Sequence, residues 1–221
     1  MRAPMMLIAT LFALSFSAAR AAHAAPPPPP SGFLDTYPTM QPDTKRPGAS
    51  IYVAPGTTLK GFTKIYIDPI LVWYSRDSTY QGIDPDELSA VTNNFRKALI
   101  KHLEPTYPVV DTRGKDVLEL RLAITNVIAE KKKRGILGYT PVGFVIGAAK
   151  NAATAGPNID ISSATVEAEL LDSSGKQLAV VVDPLVTDES TKDKMTWNDI
   201  AKTMDAAGER LRTRMDADRL H

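Results

Sequence analysis

Apolar and polar positions alternate with a period of two from Ala164 to Leu171. Val166, Ala168 and Leu170 take one side, and Thr165, Glu167 and Glu169 the other. Alternation of this kind places one row on each face of a sheet. Asp172-Ser173-Ser174-Gly175-Lys176 follows, and then Gln177 to Asp183, where Leu178, Val180 and Val182 continue the apolar row. A short polar centre containing a glycine supplies the positive φ that a tight hairpin needs. The pattern predicts strands over Ile159 to Leu171 and Gln177 to Val186, with the charged row in water.

The same reading gives the other elements. In Val117 to Ala129, Leu118, Leu120, Leu122, Ile124 and Ile128 oppose Glu119, Arg121 and Thr125, which predicts another half-buried strand. Lys64 to Tyr74 is rich in β-branched and aromatic residues, and Pro69 within it marks an edge or a bulge. Asp84-Pro85-Asp86-Glu87 carries a helix start, and Leu88, Val91, Phe95, Ala98, Leu99 and Leu103 recur at helical spacing before Pro105 and Pro108. Tyr107 to Asp111 is a candidate short strand. Thr140-Pro141 opens a small-residue helix over Val142 to Ala153. Thr196-Trp197-Asn198-Asp199 is a capping box leading a last helix with Trp197, Ile200, Met204, Ala207, Leu211 and Met215 in one stripe. The expected fold class is α+β: a two-layer sandwich in which two long helices, with a shorter extra one, pack on one face of a mainly antiparallel sheet of about four strands.

Ahead of this lies a leader. Arg2, the apolar run Met5 to Phe16 and Ala22-His23-Ala24 match a secretory signal, and twelve apolar residues fall short of the roughly 20 that span a bilayer. A retained anchor is the competing reading. Pro26 to Pro30 forms a stiff spacer of roughly 15 Å. From there to Gly56, two readings stand side by side: a linker, or a segment whose Phe33, Leu34, Tyr37 and Met40 latch onto the domain. The division is therefore 1–24 signal peptide, 25–56 Pro-rich extension and 57–221 a single folded domain, with folding starting near Phe62.

Composition narrows the function more than it names it. The 26 basic residues less Arg2 and Arg20 of the leader leave 24 against 25 acidic ones, a balance unlike the basic face of a nucleic-acid binder. The absence of cysteine removes disulfides, thiolate metal sites and thiol nucleophiles. The three histidines lie at His23, His102 and His221 with no metal-ligand spacing, and no cofactor motif is present. His102, near the end of a helix, reads as a structural cation.

Two constellations remain as candidates. Asp68-Pro69 and Asp183-Pro184 place a carboxylate at each of two strand breaks, the raw material of an acid–base hydrolase if folding brings them together, although Asp-Pro is also a common turn opener. Lys131, Lys132, Lys133 and Arg134 precede an apolar, glycine-containing stretch. That arrangement suits an anionic membrane surface or a partner, against the plainer reading of a solvated charged turn.

Several stretches together resemble a bacterial envelope family known as domain of unknown function 3313, whose members are mostly small lipoproteins. They are Ser31 to Tyr37, Lys64 to Pro69, Leu120 to Val127, Pro141 to Lys150, Ala164 to Asp172, Gly175 to Ala179, and Trp197 onward. The resemblance implies export, an envelope location and a non-enzymatic accessory role, and it brings no catalytic residues. The chain departs from the family in lacking the lipid-bearing cysteine. The leading expectation is a periplasmic binding or assembly module with an envelope protein as partner. A carboxylate hydrolase and a peripheral membrane-surface protein are the alternatives.

Overall fold

The computed structural model describes residues 30–80, 85–131, 159–186 and 195–220. Its elements run β1 (Gln41–Pro42), β2 (Ser50–Val53), β3 (Lys64–Ile67), β4 (Leu71–Tyr74), α1 (Pro85–Leu103), β5 (Val109–Val110), β6 (Val117–Lys131), β7 (Ile159–Leu171), β8 (Gln177–Val186) and α2 (Trp197–Leu220). All eight strands join one mixed sheet in the order β1-β2-β8-β7-β6-β3-β5, with β4 also on β6. The β1–β2–β8–β7–β6 ladders are antiparallel, and β3 and β4 run parallel to β6.

The expected four-stranded, mainly antiparallel two-layer sandwich is overturned. Of the extra strands, β1 is only two residues long, too short to show any period, while β5 falls inside the candidate short strand Tyr107 to Asp111. Pro69 cuts the predicted Lys64–Tyr74 strand in two: without an N–H it interrupts the ladder, and β3 and β4 each take their own register on β6. Folding also begins well before Phe62, since β1 and β2 extend the sheet beyond β8. The predicted helix Val142 to Ala153 lies outside the described residues.

The hairpin forms where the alternation puts it. Asp172 Oδ1 accepts from Ser174 N, Ser174 Oγ and Lys176 N, and Gly175 takes a φ of 82°. The α2 start is a reciprocal capping box: Thr196 N donates to Asp199 Oδ2 at 3.0 Å, and Asp199 N donates to Thr196 Oγ1 at 3.3 Å. Val91, Phe95, Leu99 and Leu103 of α1 and Trp197, Ile200, Met204 and Met215 of α2 bury against Leu118, Leu120, Leu122 and Ile124 of β6 and Val166 and Leu170 of β7. At Gly208 the helices approach so closely that an added Cβ would lie 3.1 Å from the His102 ring.

Two departures set up the rest. In β6 the ladder shifts between Thr125 and Ile128, where Asn126 takes a φ of 52°. This bulge turns Val127 and Ala129 into the core and leaves Ile128 half-buried, contrary to the simple alternation. In β8 the shift beside Leu171 pairs Ala179 with Leu170 and Asp183 with Val166, so these face the helices. Val180 and Val182 sit opposite Glu169 and Glu167 on the other face. That face is not in water. Phe33 and Leu34 pack on Ala123, Val180 and Val182, with Tyr37, Met40 and Tyr52 around them, forming a third layer.

Candidate functional site

The two candidate aspartates are held apart. Asp68 follows β3, where Arg113 donates to it at 3.0 Å and Arg121 stands 3.8 Å away. It belongs to the face covered by Phe33, over whose ring the Arg121 guanidinium lies at 5.5 Å. Asp183 lies on β8 facing α2. The steps β8–β7–β6–β3 separate the two strands by about 14 Å at roughly 4.8 Å per step. Opposite faces add to that distance, so the carboxylate pair is not assembled. Burial is the leading influence on Asp68, with Glu119 adding to it, and its carboxyl is pushed above the usual range in spite of Arg113. Of the basic cluster, Lys131 ends β6 and Lys132, Lys133 and Arg134 lie outside the described residues. His102 serves packing: its Nε2 lies 3.0 Å from Asp205 on α2.

What folding does assemble was not legible as a motif. On the helix face, Ala168 of β7, Ala179 of β8 and Ala207 of α2 are small residues opposed across the gap between α2 and the β2–β8–β7 part of the sheet. Together with Val166, Leu170, Leu211 and Met215 they line a mostly apolar cavity of about 140 Å³.

Charged residues stand along the same cavity: the arginines Arg46, Arg210 and Arg214 and the acids Asp43, Glu169, Asp183 and Asp218. Arg46 Nε donates to Asp183 Oδ2 at 3.0 Å, and Arg214 pairs with Asp43. Asp43 is held below the usual carboxylate range: burial opposes this, but the Arg214 hydrogen bond and the Lys45 N–H outweigh it. Arg210 is different. Its nearest carboxylate, Asp183, is 3.8 Å away, and it makes no hydrogen bond among the described residues. Burial depresses its basicity, and repulsion from Arg46 and Arg214 adds to the effect of burial. Asp183 Oδ1 is buried and accepts no hydrogen bond among the described residues. Only the β8 register brings these residues together, since Asp183 and the arginines come from three distant parts of the chain.

The opposite face carries a polar network. Glu167 and Glu169 are 1% and 3% exposed, so the row expected in water is buried. Tyr37 Oη and Thr125 Oγ1 each donate to Glu167 at 2.6 Å. Arg121 donates to Glu169 at 2.6 Å and Gln177 Nε2 at 2.7 Å. The polar row is thereby satisfied beneath residues 33–40, which act as its lid. The apolar spacing Phe33, Leu34, Tyr37 and Met40 was the available signal.

Beyond this network β4 lies alongside the second half of β6, off the main strand path. Its one ladder is to β6, so its outer edge is open among the described residues. Leu71 and Trp73 are 42% and 39% exposed, and Trp73 meets Phe33 edge-on at 6.0 Å.

Comparison with known proteins adds the following. A family described as "Protein of unknown function (DUF3313)" matches residues 29–211. No curated protein matches the chain. Among solved structures, two PelC dodecamers from Paraburkholderia phytofirmans are 13% and 12% identical, covering 74% and 72% of this chain and 97% and 96% of theirs, with TM-scores of 0.39 and 0.38. A DUF4136 family protein from Bacteroides thetaiotaomicron is 8% identical, covering 77% of this chain and 96% of its own, with a TM-score of 0.38.

Proposed function

Taking as premise that the chain belongs to the DUF3313 family of proteins of unknown function, we propose that it is an exported envelope protein and a non-catalytic binding module, which docks an extended segment of another envelope protein along β4. The observation that carries this reading is the exposure of Leu71 and Trp73 on β4, a strand that pairs with β6 on one side and with no second strand among the described residues. An edge strand offers unpaired backbone N–H and C=O groups, and a neighbouring apolar row supplies side-chain selectivity. Large exposed apolar groups beside such an edge mark interaction sites.

The fit is to a short strand. Four residues span about 13 Å, enough for a segment of similar length whose alternate apolar side chains meet Leu71 and Trp73. Phe33 props Trp73 from below, so the indole is presented rather than folded away. Export is supported by the pattern of Met1 to Ala24.

The test is photo-crosslinking in intact cells from a reactive residue at position 71, compared between the otherwise native chain and one carrying Trp73→Lys. The expected result is one recurring envelope protein, lost on Trp73→Lys while the melting temperature is unchanged. A monomeric mass with no partner, or a partner captured equally by the Trp73→Lys chain, overturns the reading. A product of twice the chain mass replaces the partner with a second copy and overturns it too.

A further inference from the structure

From the cavity beneath α2 we infer a second binding site, separate from the β4 edge, for a single-chain amphiphile: an acyl tail whose head carries an anionic oxygen beside a hydroxyl. The tail would occupy the space between α2 and the sheet. At about 140 Å³ this space is close in size to cavities of about 150 Å³ that accept a six-carbon apolar molecule, and unlike them it is partly open, with charged side chains on its rim. Ala168, Ala179 and Ala207 create it. A protein that needed only a filled core would meet this gap with larger side chains at any one of those positions.

Two unsatisfied groups define the head. Arg210 lines the cavity as a partly buried guanidinium with no hydrogen bond among the described residues, facing its nearest carboxylate at 3.8 Å. An anionic oxygen is the acceptor that fits its fork of donors. Asp183 lines the same space, is 4% exposed, and its Oδ1 accepts no hydrogen bond among the described residues. A buried carboxylate oxygen calls for a donor. A simple anion satisfies the arginine and repels the aspartate. A hydroxyl next to the anionic group satisfies both, so the specificity is for the hydroxylated amphiphile over the plain fatty acid. This chemistry occurs in free hydroxy fatty acids and in lysophospholipids, whose phosphate and glycerol hydroxyl stand in the same relation.

The purified full chain is titrated with 3-hydroxydecanoate, decanoate and a short-chain lysophosphatidylglycerol below its micelle concentration, read by calorimetry. Saturable 3-hydroxydecanoate or lysophospholipid binding is expected, with decanoate about tenfold or more weaker, the size of one hydrogen bond to a charged group. Ala168→Leu, which fills the cavity, should abolish binding. Arg210→Gln, which removes no hydrogen bond among the described residues and only the 3.8 Å ion pair with Asp183, should weaken it about tenfold and decides the matter if the first variant fails to fold. Tighter binding of the lysophospholipid identifies a membrane source, and tighter binding of the free acid a soluble one. No binding by any of the three, equal binding of decanoate, or binding unmoved by these variants overturns the inference. Trp73→Lys leaves this binding intact, so the two sites succeed or fail separately.

Discussion

Replacing Tyr37 by Phe removes one oxygen and keeps the ring. That oxygen is the hub of the N-terminal layer: it donates to the buried Glu167 at 2.6 Å and accepts from Gly32 N at 3.0 Å. A hydrogen bond to an ionised carboxylate contributes about 1.5–3 kcal/mol, and here its loss leaves Glu167 with Thr125 as its remaining donor. The Gly32 N–H is exposed and re-solvates at small cost. The expected loss is therefore about 2–3 kcal/mol, against a typical total of about 5–15 kcal/mol. Urea unfolding followed by circular dichroism measures it. For a domain of this size it corresponds to a fall in melting temperature of roughly 4–12 °C. A double-mutant cycle with Glu167→Gln isolates the pair, with a coupling of about 1–2 kcal/mol expected. A Tyr37→Phe chain within about 0.5 kcal/mol of the parent would show that the segment lies loosely on the sheet and does not cap the glutamate row.

Other consequences are read the same way. Thr196→Ala removes the α2 cap and should cost about 1 kcal/mol in the same urea titration. Gly175→Ala forces a Cβ into a φ of 82° and should cost about 1 kcal/mol, with Gly175→Asn costing less. Glu119, Asp172 and Asp199 are all held below the usual carboxylate range, chiefly by hydrogen bonds from Arg113, Ser174 and Thr196 respectively. Groups with depressed folded values contribute stability above their unfolded values of about 4 and lose it as pH falls through the folded ones. The melting temperature should accordingly hold from pH 7 to about 5 and drop below about 4. Asp68 has the opposite sign, since its raised value means that protonation favours the folded state and blunts the drop. An Asp68→Asn chain should therefore show the steeper acid decline.

Local physics determined a good deal from the sequence alone. The β7–β8 hairpin was legible because alternation and a glycine-bearing turn act within some twenty residues, and the α2 start because a capping box needs only four. The helix stripes were legible for the same reason, since each residue's burial follows its position around one helix axis. Family resemblance was carried by ordered stretches rather than by any one motif. The strand count, the layers and the cavity were decided only by tertiary structure. β1 and β2 exist because long-range partners pair with them, and two to four residues carry too little pattern to announce that. A glutamate alternating with valine reads the same whether water or Tyr37 satisfies it, because the satisfying group lies 130 positions away. Asp68 and Asp183 looked equivalent as Asp-Pro breaks, yet strand order set them three strands apart and register turned them to opposite faces. A one-residue register shift in β8 then placed Asp183 beside Arg210, since in a sheet of period two the register alone chooses which face a side chain meets.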